Sequence, residues 1–425
     1  MKYSIVTFGC RVNQADSFQI EEQLIGAGGM VSSTSDADVV VVNTCSVTSS
    51  ADQGARQIVR KIARENPRAR IVMTGCYATR RPDDLAALPG VVQVIPNDRK
   101  DRLAEEIGLT TAERFGSGDG GCGAEITPGL AGRTAFTLRV QTGCDQVCSY
   151  CIIPSTRGTG RSTPLRDVLA EFDRIRSAGY REIAITGVHL GSYGRDLSDG
   201  SSLLTLLMAI ERHAADVRVR ISSLEPMDCS DEIVDLVSAS QCFAPHFHLP
   251  LQHASDAILR AMRRPYTLAY YRRLVDRIRE QMPHASIGTD VVVGFPGEMD
   301  EDFAVLHTYL RNTPITHLHV FPYSDRPGTA AAEMGQRVHG SVVRERASIV
   351  RAVGRELSYR FHRAQDGAVR PGLTIEDGSL VVTDNYLKVR IPHGLPRNER
   401  VTVAISGDPL VGTVVSKAMP QPSVR

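Results

Sequence analysis

Three cysteines, Cys144, Cys148 and Cys151, fall in a single short run with the spacing CxxxCxxC. One tight loop therefore carries three soft thiolates. Zinc loops usually use CxxC pairs and complete a tetrahedron with a fourth Cys or His. Three thiolates instead suit three irons of a [4Fe-4S] cube and leave the fourth iron open. An open iron is what S-adenosylmethionine (SAM) needs if it is to chelate a cluster and be cleaved reductively. A structural zinc loop, or three unrelated buried cysteines, is the alternative that this spacing disfavours.

A second set, Cys10, Cys45 and Cys76, is scattered in sequence but not in pattern. Each closes an apolar, β-branched run: Tyr3 to Cys10, Asp38 to Cys45 and Arg70 to Cys76. Such runs are what parallel strands buried on both faces look like. Helical patterns follow near Ser17–Ala27 and Asp52–Glu65, the second with Ile58 and Ile62 on one face. An open parallel sheet gathers its ligands at the carboxyl ends of its strands, where all three cysteines fall. The expectation is a second three-thiolate cluster, and three buried apolar cysteines are its alternative. Cys122, Cys229 and Cys242 share no such registration and read as bystanders, Cys122 as the most exposed.

The elements that must position these groups read as an α/β chain in three parts. Residues 1–115 form a Rossmann-like parallel α/β domain, and the Gly-rich stretch 114–124 is a linker. Over 130–360, β-like runs at Phe136–Val140, Glu182–Thr186, Val217–Ser222, His246–Leu249, Ser286–Val293 and Thr316–Phe321 alternate with helical ones. That alternation predicts a partial (β/α) barrel. From 361 to 425, short runs at Leu373–Glu376, Leu380–Val382, Lys388–Ile391, Val401–Ile405 and Leu410–Val415 predict a small β-barrel.

With 425 residues, 42% apolar and 23% charged residues and a net charge of +1, the composition is that of a soluble globular protein. No apolar run reaches the roughly 20 residues that span a bilayer, and no signal peptide is read at the N-terminus. A cytoplasmic protein without a membrane partner is therefore expected, its nine cysteines serving as ligands and leftovers, not disulfides. Charge is local, however. Between Gly335 and Arg363, arginines 337, 344, 346, 351, 355, 360 and 363 face only Glu345 and Glu356.

The chain resembles the radical-SAM methylthiotransferases. The runs Gly9 to Gln14, Asn43 to Thr48 and Thr74 to Ala78 look like that family's three auxiliary-cluster motifs. Gln141 to Pro154, with Tyr150 before the last cysteine, then Arg157-Gly158 and Gly160 to Ser162, is similar to its radical-SAM signature. Thr186 to Gly194, Ser222 to Pro226, His248 to His253, Thr289 to Glu298 and Phe321 to Ser324 continue the match. The tail resembles the family's RNA-binding β-barrel (the TRAM domain) by position and strand pattern. The first motif and the Gly187 to Gly194 box are most similar to the group that acts on N6-threonylcarbamoyladenosine beside the tRNA anticodon. Ala15-Asp16-Ser17 departs from the Tyr-Glu-Ser of that group. Related groups act on the isopentenyl form or on an aspartate of a ribosomal protein.

The resemblance implies two [4Fe-4S] clusters and SAM in two roles. The Cys144/Cys148/Cys151 cluster would deliver the electron that splits SAM into methionine and a 5′-deoxyadenosyl radical. The Cys10/Cys45/Cys76 cluster would present the sulfur that a second SAM methylates before transfer to C2 of the adenine. Both clusters must then face one cavity. An electron donor, an unidentified reductase or flavodoxin-like protein, is required, and the sulfur source is unknown.

Candidate SAM-pocket residues carry open alternatives. Gly187, Gly191 and Gly194 permit close approach of a ligand or simply form turns. Ser223 and Glu225 follow an apolar strand, where Glu225 either accepts from the ribose or amine or begins a helix. His248, His253 and Asp290 contact SAM or substrate, or are hydrogen-bonded core residues. For the tRNA anticodon stem-loop, the arginine-rich stretch and the tail are the expected contacts. Tyr386 is the only aromatic residue of the last 60, which predicts backbone-dominated binding there.

Overall fold

The computed structural model describes residues 1–109, 127–128, 133–214, 216–407 and 409–417. The expected linker and Cys122 lie outside the described residues. The first unit runs β1 (Lys2–Thr7), α1 (Arg11–Gly26), β2 (Met30–Val31), β3 (Val39–Thr44), α2 (Ser49–Glu65), β4 (Arg70–Gly75), α3 (Cys76–Arg80), α4 (Pro82–Ala86), β5 (Val91–Ile95) and α5 (Leu103–Glu106). Its five strands are all parallel, in the order β2-β1-β3-β4-β5. Strand order reverses at β1, so a crevice opens between the carboxyl ends of β1 and β3. Cys10 and Cys45 follow those two strands, and Cys76 follows β4.

Two short strands, β2 and β5, have no counterpart in the expected elements, and α1 begins six residues before the expected Ser17. The reason for the second difference is physical. Along α1, Asn13, Asp16, Ser17, Glu21 and Glu22 are buried together with Val12, Phe18 and Leu24. The helix is enclosed by its own sheet and by the next unit, so its pattern is not amphipathic.

That next unit contains β6 (Phe136–Thr142), α6 (Ile153–Arg157), β7 (Arg161–Ser162), α7 (Leu165–Ser177), β8 (Glu182–Gly187), α8 (Leu203–His213), β9 (Arg218–Ile221), α9 (Asp231–Ala239) and β10 (His246–His248). It continues with α10 (Asp256–Ala261), α11 (Leu268–Gln281), β11 (Ser286–Val293), α12 (Asp300–Arg311), β12 (His317–Pro322) and α13 (Gly340–Arg363). The parallel series β6-β8-β9 meets β10-β11-β12 through a parallel bridge from Val219 to Phe243. Six parallel strands thus curve into the expected partial barrel. Side chains alternate across each strand. Ile183, Ile185, Val219, Ile221, Phe247, Ile287, Val291 and Val293 join one apolar core beneath the surrounding helices. The alternate positions line the lumen and are polar: Glu182, Arg220, His246, His248, Asp290 and His319 among them.

The tail strands β13 (Val369–Ile375), β14 (Leu380–Thr383), β15 (Lys388–Arg390), β16 (Arg400–Ser406) and β17 (Val411–Lys417) close into a barrel, β13-β14-β15-β17-β16. It docks against the amino-terminal ends of the lumen strands, whereas the Cys144/Cys148/Cys151 loop follows the carboxyl end of β6. Asn385 donates to the His284 carbonyl (3.0 Å), Arg400 to that of Asp216 (2.9 Å), and buried Arg220 to those of Thr383 and Asp384 (both 2.7 Å). Arg220 also pairs with Glu182. Losing one side of a buried pair of this kind costs about 3–5 kcal/mol, so this contact fixes the tail firmly.

Candidate functional site

Cys10 directly precedes α1 and is exposed, whereas Cys45 and Cys76 are buried at the ends of β3 and β4. Gly9 holds a backbone φ of +94°, and a Cβ there would lie 2.5 Å from that of Cys45, so only glycine lets the two cysteine loops approach. Burial pushes the Cys45 thiol up to about 12, with Cys10 and Cys76 adding to the effect, which places the three sulfurs within electrostatic reach of one another. Burial pushes Cys76 up as well, but Arg157 and Lys100 outweigh it and hold that thiol below its usual value.

Those two cations belong to a network that sequence pattern alone does not reveal. Asp16, fully buried on α1, accepts from Lys100, from Arg139 on β6 and from Arg157 on α6, the last at 2.8 Å. Burial works to raise the Asp16 pKa, yet the three cations hold it well below the carboxylate range. Three cations thus surround one carboxylate beside the Cys10/Cys45/Cys76 group. Buried positive charge in excess requires further negative charge nearby, and thiolates holding an iron–sulfur cluster would supply it. The donor set and its surroundings therefore fit such a group. Asp16, one of the residues that depart from the expected motif, is thus held by all three cations.

Cys144, Cys148 and Cys151 occupy the loop between β6 and α6. Burial pushes Cys144 up and Cys151 up to about 12, with neighbouring thiols contributing to both. Arg264 donates to the Cys148 sulfur at 3.2 Å and pairs with Glu225. Tyr150 is packed beside this arginine in the Phe295 cluster. A guanidinium against thiolates suits an anionic cluster here too. Close by, the Ser222 hydroxyl is buried at the end of β9 without a hydrogen-bond partner among the described residues, and a polar ligand such as SAM would satisfy it.

The two cysteine groups meet at one junction. Helix α3 starts at Cys76, α6 starts just past Cys151, and the two helices pack together. Asn97 donates to the Thr156 carbonyl (2.9 Å) and approaches the Cys76 sulfur (3.7 Å). The loop after β12 closes another side: Arg326 donates to Asp52 (2.8 Å) and to the Val47 carbonyl (3.2 Å), while Ala331 donates to the Ser149 carbonyl (2.7 Å).

Other expected residues have local partners. Cβ atoms at Gly191 and Gly194 would overlap Asp228 (2.2 Å) and the Ser201 carbonyl (2.1 Å); at Gly187 one would crowd Gln141 (3.0 Å). The close approach these glycines permit is to their own chain. Ser223 is exposed. His248 Nε2 and His319 Nδ1 both face Asp290 Oδ1, at 3.0 and 3.1 Å. His253 is fully buried, accepts from the Ser255 amide at 3.0 Å, and burial lowers its pKa to about 4, so it is a neutral core histidine. Cys229 is buried and Cys242 donates to Glu211.

The basic stretch needs two corrections as an RNA face. Arg346 turns inward to Glu298 (2.7 Å), and Arg337 precedes the helix and pairs with Asp325. Arg344, Arg351, Arg355, Arg360 and Arg363 remain exposed on α13. Arg351, Arg355, Tyr359 and His362 border an open groove beside the edge strand β12, where His319 reaches the lumen. Tyr386 is also placed unexpectedly. Its ring lies against that of His246, tilted by 33° with 4.5 Å between ring centroids, and within cation–π distance of Arg220 and Arg11.

Comparisons with known proteins agree with this geometry. Residues 2–96 match the uncharacterized protein family UPF0004, and residues 138–310 match the radical SAM superfamily. A threonylcarbamoyladenosine tRNA methylthiotransferase of Aquifex aeolicus is 35% identical over 400 residues, covering 92% of this chain and 96% of the relative. Its counterpart in Thermotoga maritima is 37% identical, covering 90% and 89%. A tRNA-2-methylthio-N6-dimethylallyladenosine synthase of a Parafrankia species is 35% identical, covering 86% and 76%. Among solved structures, the radical SAM methyltransferase TsrM of Kitasatospora setae, with cobalamin and a [4Fe-4S] cluster bound, superposes with a TM-score of 0.54 at 17% identity. That likeness covers 78% of this chain and 76% of TsrM, and it bears on the fold.

Proposed function

We propose, since the chain belongs to the radical-SAM tRNA methylthiotransferase family, that its substrate is N6-threonylcarbamoyladenosine beside the anticodon and its product the 2-methylthio derivative. The observation that carries the reading is the α3–α6 junction, which brings the Cys76 and Cys151 loops to one place. The choice of substrate rests on the lumen wall. Its polar lining suits an N6 substituent that ends in hydroxyl and carboxylate groups, whereas an isopentenyl group would desolvate those polar side chains without compensation.

Cys144, Cys148 and Cys151 would hold one [4Fe-4S] cluster, and Cys10, Cys45 and Cys76 the other. When bound, these groups together with SAM supply reductive sulfonium cleavage and the sulfur to be transferred. The protein's own part is positioning and charge. Arg157 and Lys100 hold negative charge at the Cys76 site, and Asp16 fixes both cations. Arg264 does the same at Cys148 and orients Glu225. Ser222, Ser223, Glu225 and His248, at and just after the ends of β9 and β10, would be the SAM-facing groups, and the Gly187–Gly194 turn packs against its own chain. The exposed arginines of α13 offer phosphate contacts beside the lumen opening, so RNA affinity should fall steeply with salt.

No helix among the described residues is long and apolar enough to cross a membrane. We place the enzyme in the cytoplasm, where tRNA and a small reductase or flavodoxin-like electron donor would reach it.

The test is a competition between two anticodon stem-loops, one carrying threonylcarbamoyladenosine and one isopentenyladenosine, given to the reconstituted enzyme with SAM, sulfide and a reductant. The expected result is methylthiolation of the first with kcat/KM at least about a hundredfold higher. Equal use of both, or preference for the isopentenyl form, would overturn the substrate assignment.

A further inference from the structure

Arg11 follows Cys10 directly and is half-buried, yet it forms no ion pair with any acid among the described residues. Its guanidinium donates to the Tyr386 hydroxyl at 3.0 Å and lies 5.5 Å from the centre of that ring. The tail barrel thus holds this side chain in one place, although the two residues are 375 positions apart. Arg133 stands in the same region, close enough for the two like charges to act on each other, and among the described residues it donates to the neutral Gln14 (3.0 Å). Beside them, the ring of buried His246 lies tilted against that of Tyr386, and its Nδ1 has no hydrogen-bond partner among the described residues. Burial and the positive charges of Arg220 and Arg11 keep His246 neutral.

Other arginines at this junction are matched: Arg220 by Glu182, Arg157 and Arg139 by Asp16, Arg264 by Glu225. Arg11 and Arg133 are not matched among the described residues, and of the two it is Arg11 that Tyr386 holds at the lumen beside the cysteine that follows β1. A guanidinium held in place without an acid is a prepared anion site, because its planar fork accepts a carboxylate in two parallel hydrogen bonds. Two anions are available to it, a carboxylate on the substrate side chain or an RNA phosphate. Its place against the floor residues Tyr386 and His246, away from the exposed arginines of α13, favours the carboxylate.

We propose that Arg11, held by Tyr386, is the specificity-determining residue that binds the threonyl carboxylate of the N6 substituent; this rests on the substrate reading given above. The ion pair would align the adenine while leaving the cysteine-bound chemistry unchanged. An uncharged substituent would leave Arg11 without its partner and bind weakly.

The experiment uses the full-length reconstituted enzyme and two stem-loops, one with threonylcarbamoyladenosine and one with its carboxylate capped as the methylamide. For the wild type, capping should lower kcat/KM about a hundredfold. Arg11→Gln should lose about the same factor on the acid, and capping should then change its kcat/KM less than about threefold. Arg11→Lys should recover part of the preference for the acid. SAM cleavage without RNA should be unaffected in both variants. Equal loss on both stem-loops would assign Arg11 to a phosphate or to folding and overturn the proposal, as would full activity of Arg11→Gln on the acid. A third stem-loop, with isopentenyladenosine, separates the two readings: a wild type that ignores the acid stem-loop and modifies this one would overturn the substrate reading and the Arg11 assignment together.

Discussion

Replacing Cys148 with Ala should abolish reductive cleavage of SAM to methionine and 5′-deoxyadenosine while leaving about half of the iron. The expectation follows from the separation of the two cysteine groups into different loops. Cys148 belongs to the loop between β6 and α6, where Arg264 donates to its sulfur. The Cys10/Cys45/Cys76 group takes its charge balance from Lys100, Arg139 and Arg157 and does not depend on that contact. Iron and sulfide analysis beside a cleavage assay would read both effects, and a melting curve would show that the variant is folded. Cleavage at the wild-type rate would remove the Cys144/Cys148/Cys151 loop from the chemistry.

Replacing Cys45 with Ala should give the opposite dissociation. SAM cleavage should continue, within about threefold of the wild-type rate, while methylthiolated nucleoside falls below detection. Cys45 sits at the switch point of the first sheet, against Gly9 and between Cys10 and Cys76. It shares no hydrogen bond with the Cys148 loop, so its loss should not reach that site. Its side chain is buried, and removing the sulfur opens only a small gap, costing about 1 kcal/mol. The products can be counted by mass spectrometry in one reaction. Unimpaired methylthiolation would exclude the second cysteine group from sulfur transfer. Together the two variants separate SAM activation from sulfur delivery, which single losses of activity would not do.

Much of this arrangement was legible in the sequence because it rests on short-range patterns. The valine-rich run ending at Cys45 announces a buried parallel strand, and the CxxxCxxC spacing announces a shared ligand. The six lumen strands and the tail strands follow the same rule of local periodicity. What stayed hidden depends on distant partners. Nothing near Asp16 in sequence indicates that Lys100, Arg139 and Arg157 converge on it, and the same burial of polar residues obscured the first turns of α1. Arg264 lay outside the expected pocket because its partners, Cys148 and Glu225, come from different strand ends. Arg346 read as a surface cation until Glu298 was found against it. Tyr386 read only as the lone aromatic of the tail, because His246, Arg220 and Arg11, which it touches, come from other parts of the chain.

The central claim is that both cysteine groups serve one methylthiolation of a tRNA nucleoside, and nucleoside mass spectrometry of tRNA tests it most directly. In a strain lacking this gene, 2-methylthio-N6-threonylcarbamoyladenosine should disappear and its unthiolated precursor should accumulate. The intact gene should restore the product, and neither the Cys148→Ala nor the Cys45→Ala gene should do so. An unchanged tRNA profile in the deleted strain would contradict the account.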